Sequence, residues 1–471
     1  MSGLLKKFIE FAIGNGIVLI LGFISSPIIT RLVLPEQYGK ASMFTTFTSL
    51  MVLISLVGMD QAYIRYYNDE KDDDRGALLG KSIVIASTIN LIVGIILLVF
   101  YKKVSNFIID ESAFVLVILV VIHTLFSIVG NFSMINVRMK QKGKTYSFLS
   151  VINKVSYLIF IGIFYFIFRN SYLTIVMATI LANIVSMSFG IYIEKSDWKN
   201  VKFFNNAKIT TNELIRYGIP FIFSMAITWI FQSIDKVTLR IFSTYSEIGL
   251  YSGAMTIIGL LNNFQAAFTT FWTPVAYEKY ATNPEDKKFF VNINQIVTVG
   301  MLILSIGLIA TKDIVIGFLG KEYQGAQFIF PFLVFMPIMY TISETTVLGI
   351  NFMKKTKYHI YIAVFSAISN IIGNLILVPT YGAKGAAIST GLAYIVFFIA
   401  RTYYAGKFYK IEFYMKRFWA CVIPVYILAT YSSLNKFDYI ILAMSIFCVA
   451  LIIFMYRKII LDLFNSIIKK K

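Results

Sequence analysis

Long apolar runs recur about 14 times along this chain, each of roughly 18 residues or more, and most are separated by short polar loops. A helix needs about 20 such residues to cross the hydrocarbon core of a bilayer. The runs are continuously apolar, without the alternation of barrel strands, so helices are the expected spanning element. Composition agrees: 58% of the 471 residues are hydrophobic and 14% are charged, against about 25% charged in a soluble protein. The expected fold is an all-α polytopic membrane protein with about 14 transmembrane helices, leaving room for no soluble domain above roughly 25 residues.

The formal net charge of +19 would point to nucleic acid in a soluble protein. Here the 43 Lys and Arg divide roughly three to one between alternate loops when the amino terminus is placed in the cytoplasm, which is the positive-inside pattern. An even helix count then puts both termini in the cytoplasm, and nucleic acid is no expected partner. The first run follows Lys6 and Lys7, contains Glu10 and Asn15, and lacks a small-residue cleavage pattern, so a retained helix is expected. Cys421 and Cys448 lie in separate late spans and imply neither a disulfide framework nor a metal site. His123 and His359 are too few and too far apart for a metal. No cofactor is expected.

The span at 216–240, RYGIPFIFSMAITWIFQSIDKVTLR, carries the most information. Gln232, Asp235, Lys236 and Arg240 occupy its far half at i, i+3 and i+4 spacings, on neighbouring parts of one helix face. A charge at a helix centre in lipid costs about 2.5–3.5 kcal/mol, so that face is expected to line a cavity. Lys154 lies about 15 Å along its helix from the preceding basic loop, too deep for a loop charge. It is either a cavity cation or the partner of a carboxylate. Arg31 and Arg65 lie near helix ends, where snorkelling to the interface is the alternative to cavity lining; Arg240 is open to the same two readings. Glu10, Asp60, Asp235 and Glu344 are candidates to carry a coupling H+ or Na+, with plain salt bridges as the structural alternative.

The longest polar stretch, at 194–216, marks the expected boundary between two halves, 1–205 and 206–405, followed by two further helices and a basic tail at 406–471. Weak internal similarity supports two halves. Arg31 precedes Gly39 as Arg240 precedes Gly249, and the span after each Gly ends in Tyr-rich sequence, YIRYY and YEKY. An even number of helices separates the two glycines, so the halves share an orientation, with a pseudo-twofold along the membrane normal and substrate expected between lobes.

Arg31 with LPEQYG, RYGIP at 216–220, IDKVTLR at 234–240, EIGLYSGAM at 247–255, GKEYQGA at 320–326 and VPTYGAKGAAIST at 378–390 together resemble the polysaccharide-transporter branch of the MATE-like MOP flippase superfamily. The motifs cover about residues 8–405 in order. The resemblance implies two six-helix bundles around a central cavity, often with two extra carboxyl-terminal helices. It also implies a plasma-membrane protein of bacteria or archaea that moves undecaprenyl-diphosphate-linked oligosaccharide from the inner to the outer leaflet for capsule, O-antigen or exopolysaccharide assembly, beside other polysaccharide-assembly proteins. The chemistry agrees, because a lipid diphosphate crossing a low-dielectric region needs cations, and the Arg fork can hold two phosphate oxygens. A monomer is expected, since the cavity would form within one chain.

An enzyme acting on the same carrier would need a sizeable outer loop with catalytic residues, and the outer segments are short with no nucleotide loop or triad pattern. A cation-coupled drug exporter would place excess carboxylates in its spans, whereas Lys and Arg predominate here. A flippase for lipid II or another wall precursor, and the cation-coupled multidrug exporter on the same fold, stay open as alternatives.

Overall fold

The computed structural model describes the backbone of residues 2–71, 74–199, 201 and 209–468, and the side chains of residues 16–71, 74–199, 201, 209–462 and 465. Among the described residues every regular element is helical, as the bilayer demands of a chain that must satisfy its own backbone. Among the described residues, ten helices are long and apolar enough to cross a membrane, or eleven if one bent pair counts as a span. The expected count of about 14 is not reached by that measure. The difference has three sources: the described apolar part of the first helix, Gly16–Leu32, is shorter than a full span, and a 38-residue helix at Tyr245–Thr282 carries Asn262, Asn263 and Gln265 at mid-length. A third source is a 52-residue helix at Lys357–Phe408 that holds two arms in one element.

By contacts the chain divides into two compact units, Met1–Lys236 and Val237–Lys471. The first unit begins with α1 (Ser2–Leu32) and α2 (Pro35–Leu56), where Pro35 opens α2 at a position whose amide would be unpaired in any case. A left-handed pair, Val57 and Gly58, turns the chain into α3 (Met59–Tyr66). There follow α4 (Arg75–Val99), α5 (Tyr101–Ile109), α6 (Phe114–Met139), α7 (Gly143–Phe168), α8 (Tyr172–Ile193), α9 (Lys195–Lys199) and α10 (Thr211–Phe242), whose last residues from Val237 on are counted with the second unit. Tyr63, Tyr67, Leu78, Leu79 and Phe132 anchor an apolar core between α3, α4 and α6, and the Tyr63 hydroxyl donates to Asn136 Oδ1 at 3.1 Å. Gly58, at φ +71°, lies against Gly218 of the RYGIP motif so closely that a Cβ there would meet the Gly218 carbonyl oxygen at 2.2 Å. Backbone meets backbone at this point, and only glycine allows it.

The second unit contains α11 (Tyr245–Thr282), α12 (Lys287–Ala310), α13 (Lys312–Gly317) and a 3-10 segment at Lys321–Phe328. Beyond these come α14 (Phe330–Leu333), α15 (Phe335–Thr346), α16 (Leu348–Phe352), α17 (Lys357–Phe408), α18 (Met415–Leu434) and α19 (Tyr439–Ile468). The stretch at 321–352 holds no single straight helix. It is instead broken into the 3-10 segment and three short helices, with a bend of 58° between Lys321–Phe328 and Phe330–Thr346. Pro331 in the first turn of α14 and Pro337 within α15 remove amide donors, and the chain bends where the ladder is lost. The two arms of α17, 357–381 and 383–408, meet at Gly382, whose φ of 54° and ψ of −132° is non-helical.

The units repeat one contact. In the first, Gln37 Oε1 accepts from the amide of Tyr172, the first residue of α8, at 3.1 Å. In the second, Glu247 Oε2 accepts from the amide of Ala383, the first residue of the second α17 arm, at 2.8 Å. Gln37 and Glu247 each stand two residues before the glycines that mark the sequence repeat, Gly39 and Gly249. Within three residues before each donating amide a residue takes the same rare backbone conformation, Arg169 at φ 54°, ψ −136° and Gly382 at φ 54°, ψ −132°.

Candidate functional site

In the first unit, α3 begins right after the Val57–Gly58 turn and so holds Asp60 inside the fold, 5% exposed. Asp60 Oδ2 accepts from Gln61 Nε2 at 2.8 Å, and Oδ1 is buried with no hydrogen-bond partner among the described residues. Arg65, five residues on, is exposed and pairs with Asp69 at 3.0 Å. That pair is a surface i, i+4 bridge of the kind worth little to stability. The helix-end Arg31 is likewise exposed.

Lys154 lies mid-way along α7 and is half-buried, with Nζ 5.2 Å from the centroid of the Tyr157 ring one turn away. Among the described residues it makes no ion pair. Its cation therefore rests on an aromatic face, which attracts it without neutralising it. On α10 the four polar residues differ in exposure: Gln232 is exposed, Asp235 is buried, and Lys236 and Arg240 are half-buried. The guanidinium of Arg240 sits 4.8 Å from the Tyr245 ring centroid. Glu10 lies outside the described side chains.

Glu344, in α15, meets a partner that sequence reasoning missed. Arg401 Nη2 lies 2.7 Å from Glu344 Oε1, and both side chains are under a tenth exposed. Arg401 Nη1 donates to Ser343 Oγ at 2.6 Å, and the guanidinium is 5.1 Å and 5.0 Å from the Tyr340 and Phe397 ring centroids. A paired, stacked guanidinium is how an Arg persists inside an apolar helix pair. The signal was present, a lone Arg in the apolar stretch GLAYIVFFIARTYY, and it merited the suspicion given to Lys154. Structure thus brings Glu344 to Arg401. Within the first unit, Lys154 stays apart from any carboxylate partner among the described residues.

A second charged cluster lies outside the spans. Lys140, just past the end of α6, reaches Glu194 at 2.7 Å and Asp197 at 2.8 Å, and Lys142 reaches Glu194 at 2.6 Å. Burial alone would lower the Lys140 pKa, but hydrogen bonds to Asp197 and Glu194 outweigh it and the net shift is upward. This cluster clamps the basic loop onto the end of α8. Among the described residues no group of three or more His, Cys, Asp and Glu side chains is placed to hold a metal ion.

The fold is shared with solved transporters. The lipid II flippase MurJ in an inward closed conformation superposes with a TM-score of 0.73 at 18% identity, covering 96% of this chain and 100% of that one. An inward-facing multidrug resistance MATE family transporter of the MOP superfamily gives 0.59 at 13% identity, covering 85% and 97%. Among curated sequences, "Uncharacterized membrane protein MJ1068" of Methanocaldococcus jannaschii is 24% identical over 405 residues, 80% of this chain and 79% of that protein. "Probable low-salt glycan biosynthesis flippase Agl15" of Haloferax volcanii is 22% identical over 251 residues, 52% of each. The family described as "Polysaccharide biosynthesis protein" matches residues 4–279, and with more than half its length inside that match, this all-helical membrane protein belongs to the polysaccharide biosynthesis protein family.

Proposed function

We propose that the protein is a flippase that moves polyprenyl-diphosphate-linked oligosaccharide from the inner to the outer leaflet, without breaking a covalent bond. In this reading, 1–205 and 206–405 are lobes that alternate access to a cavity, and 406–471 adds two helices. Both termini lie in the cytoplasm, and one chain suffices. Lys154 carries the proposal. It is a half-buried cation in a span, supported by the Tyr157 ring and left without an ion pair among the described residues, and so available to an anionic head group. Family membership and the flippase named among the relatives support the class of substrate.

Lys236 and Arg240 extend the proposed cationic lining, with Arg31 and Arg65 near its mouths. Asp60 is the carboxylate best suited to carry a coupling H+ or Na+, because its buried Oδ1 has no protein partner among the described residues. Glu344 is committed to Arg401, and Asp235 and Glu10 complete the candidates.

The test is a leaflet-resolved assay in proteoliposomes with undecaprenyl-diphosphate oligosaccharide in the inner leaflet, scored by access of an external glycan-cleaving enzyme. Protein-dependent exposure of the glycan supports the proposal. Exposure of lipid II but not of oligosaccharide carriers would move the protein to wall-precursor transport, and failure with both would end the flippase reading.

A further inference from the structure

At one end of the second unit a cleft of about 1060 Å³ is lined by six cations, Lys287, Lys288, Lys410, Lys416, Arg417 and Lys458. Two carboxylates, Glu412 and Asp462, share it. The cations come from four places in the chain: the first turn of α12, the linker at 409–414, the first turn of α18, and α19 just past Tyr456. None of the six is held in an ion pair among the described residues.

The walls are fixed. The Tyr409 hydroxyl donates to the Pro284 carbonyl, tying the linker to the loop before α12. Asp286 caps α12 by accepting from the Phe289 amide at 3.2 Å. Lys287 Nζ rests 5.5 Å from the Tyr409 ring centroid and the Arg417 guanidinium 4.4 Å from that of Tyr414. These cations are positioned, and their charge is unspent.

The location points to lipid. Tyr456 leaves helical geometry at φ −109°, ψ 15°, so α19 breaks where its apolar span meets Arg457 and Lys458. On the span side of the cations, Ile423 is 56% exposed and Phe454 63% exposed. A cationic rim above an exposed apolar wall matches an amphiphile whose phosphate sits at the interface and whose acyl chains run down the helices. A free phosphate uses only the first of these features, and the cleft is many times its size.

We propose that this cleft is a binding site for the phosphate head group of an anionic phospholipid, separate from the transport substrate. The full-length protein is purified in detergent, exposed to phosphatidylglycerol or phosphatidylcholine, and bound lipid is counted by native mass spectrometry. Inorganic phosphate and glycerol 3-phosphate serve as soluble competitors. The parent retains phosphatidylglycerol in preference to phosphatidylcholine, millimolar soluble phosphates do not displace it, and the triple variant Lys288→Glu, Lys416→Glu, Arg417→Glu loses the preference by about tenfold or more. All three side chains are exposed, and if the triple variant fails to fold, Lys416→Glu alone is expected to show a smaller loss in the same direction. An unchanged preference in a folded variant, or displacement by soluble phosphate alone, overturns the proposal.

Discussion

Glu247 Oε2 accepts from the amide of Ala383 at 2.8 Å, joining the EIGLYSGAM stretch to the break in VPTYGAKGAAIST. The amide it satisfies is one that the break at Gly382 would otherwise strand inside a membrane protein, where an unpaired backbone group costs most. Gln37 does the same for Tyr172 in the first unit at 3.1 Å.

Replacing Glu247 with Ala is expected to destabilise the fold by about 1.5 kcal/mol, the lower end for a charged acceptor because the side chain is partly exposed. Gln37→Ala removes a neutral acceptor and costs about 0.5–1.5 kcal/mol. Thermal unfolding in one detergent orders them parent, Gln37→Ala, Glu247→Ala, with Glu247→Gln close to the parent. Equal melting temperatures for parent and Glu247→Ala would show that the contact stabilises nothing.

Gly58→Ala is expected to abolish accumulation of folded protein. Its Cβ would lie 2.2 Å from a backbone oxygen, at a φ of +71°, so neither neighbour nor backbone can give cheaply. Gly259→Ala is the control, since nothing lies within 4 Å of its Cβ and a helix interior favours Ala by about 1 kcal/mol. Monodisperse yield on size-exclusion chromatography separates the two.

Arg401→Met leaves the Glu344 carboxylate buried beside no cation and is expected to cost about 3–5 kcal/mol. Adding Glu344→Leu should recover most of that loss, because the pair can be replaced as a unit by apolar groups. A double variant less stable than Arg401→Met would show that Glu344 has a second role.

Asp286 gives a pH prediction. The hydrogen bond from Lys279, and then that from the Phe289 amide, hold its pKa below the usual aspartate range. A depressed carboxylate contributes stability that is present above its unfolded pKa of about 4 and is lost as pH falls through the folded value. Melting temperature should therefore fall between about pH 5 and pH 3, and Asp286→Asn should flatten that part of the profile. A profile of unchanged slope would remove Asp286 from the acid response.

The spans were legible because a bilayer forces long apolar runs into helices, whatever their neighbours. The internal repeat was legible at Gly39 and Gly249, although not the contact that Gln37 and Glu247 make. What the chain alone hides is partnership across distance. Glu344 and Arg401 are 57 positions apart in sequence, and Gly58 meets Gly218 across most of a unit. Nor does helical spacing tell how exposed a face is: Gln232 and Asp235 share a face by spacing, yet one is exposed and the other buried, because neighbouring helices decide that.

Cation removal tests the transport reading most directly. Lys154→Ala, Lys236→Ala and the double variant are reconstituted beside the parent, with melting temperature matched, and outward movement of undecaprenyl-diphosphate oligosaccharide is timed. An anionic head group held by these cations predicts about a tenfold or greater loss of rate for Lys154→Ala, a further loss in the double variant, and partial recovery with Lys154→Arg. Full-rate movement in a folded double variant would contradict the cationic path.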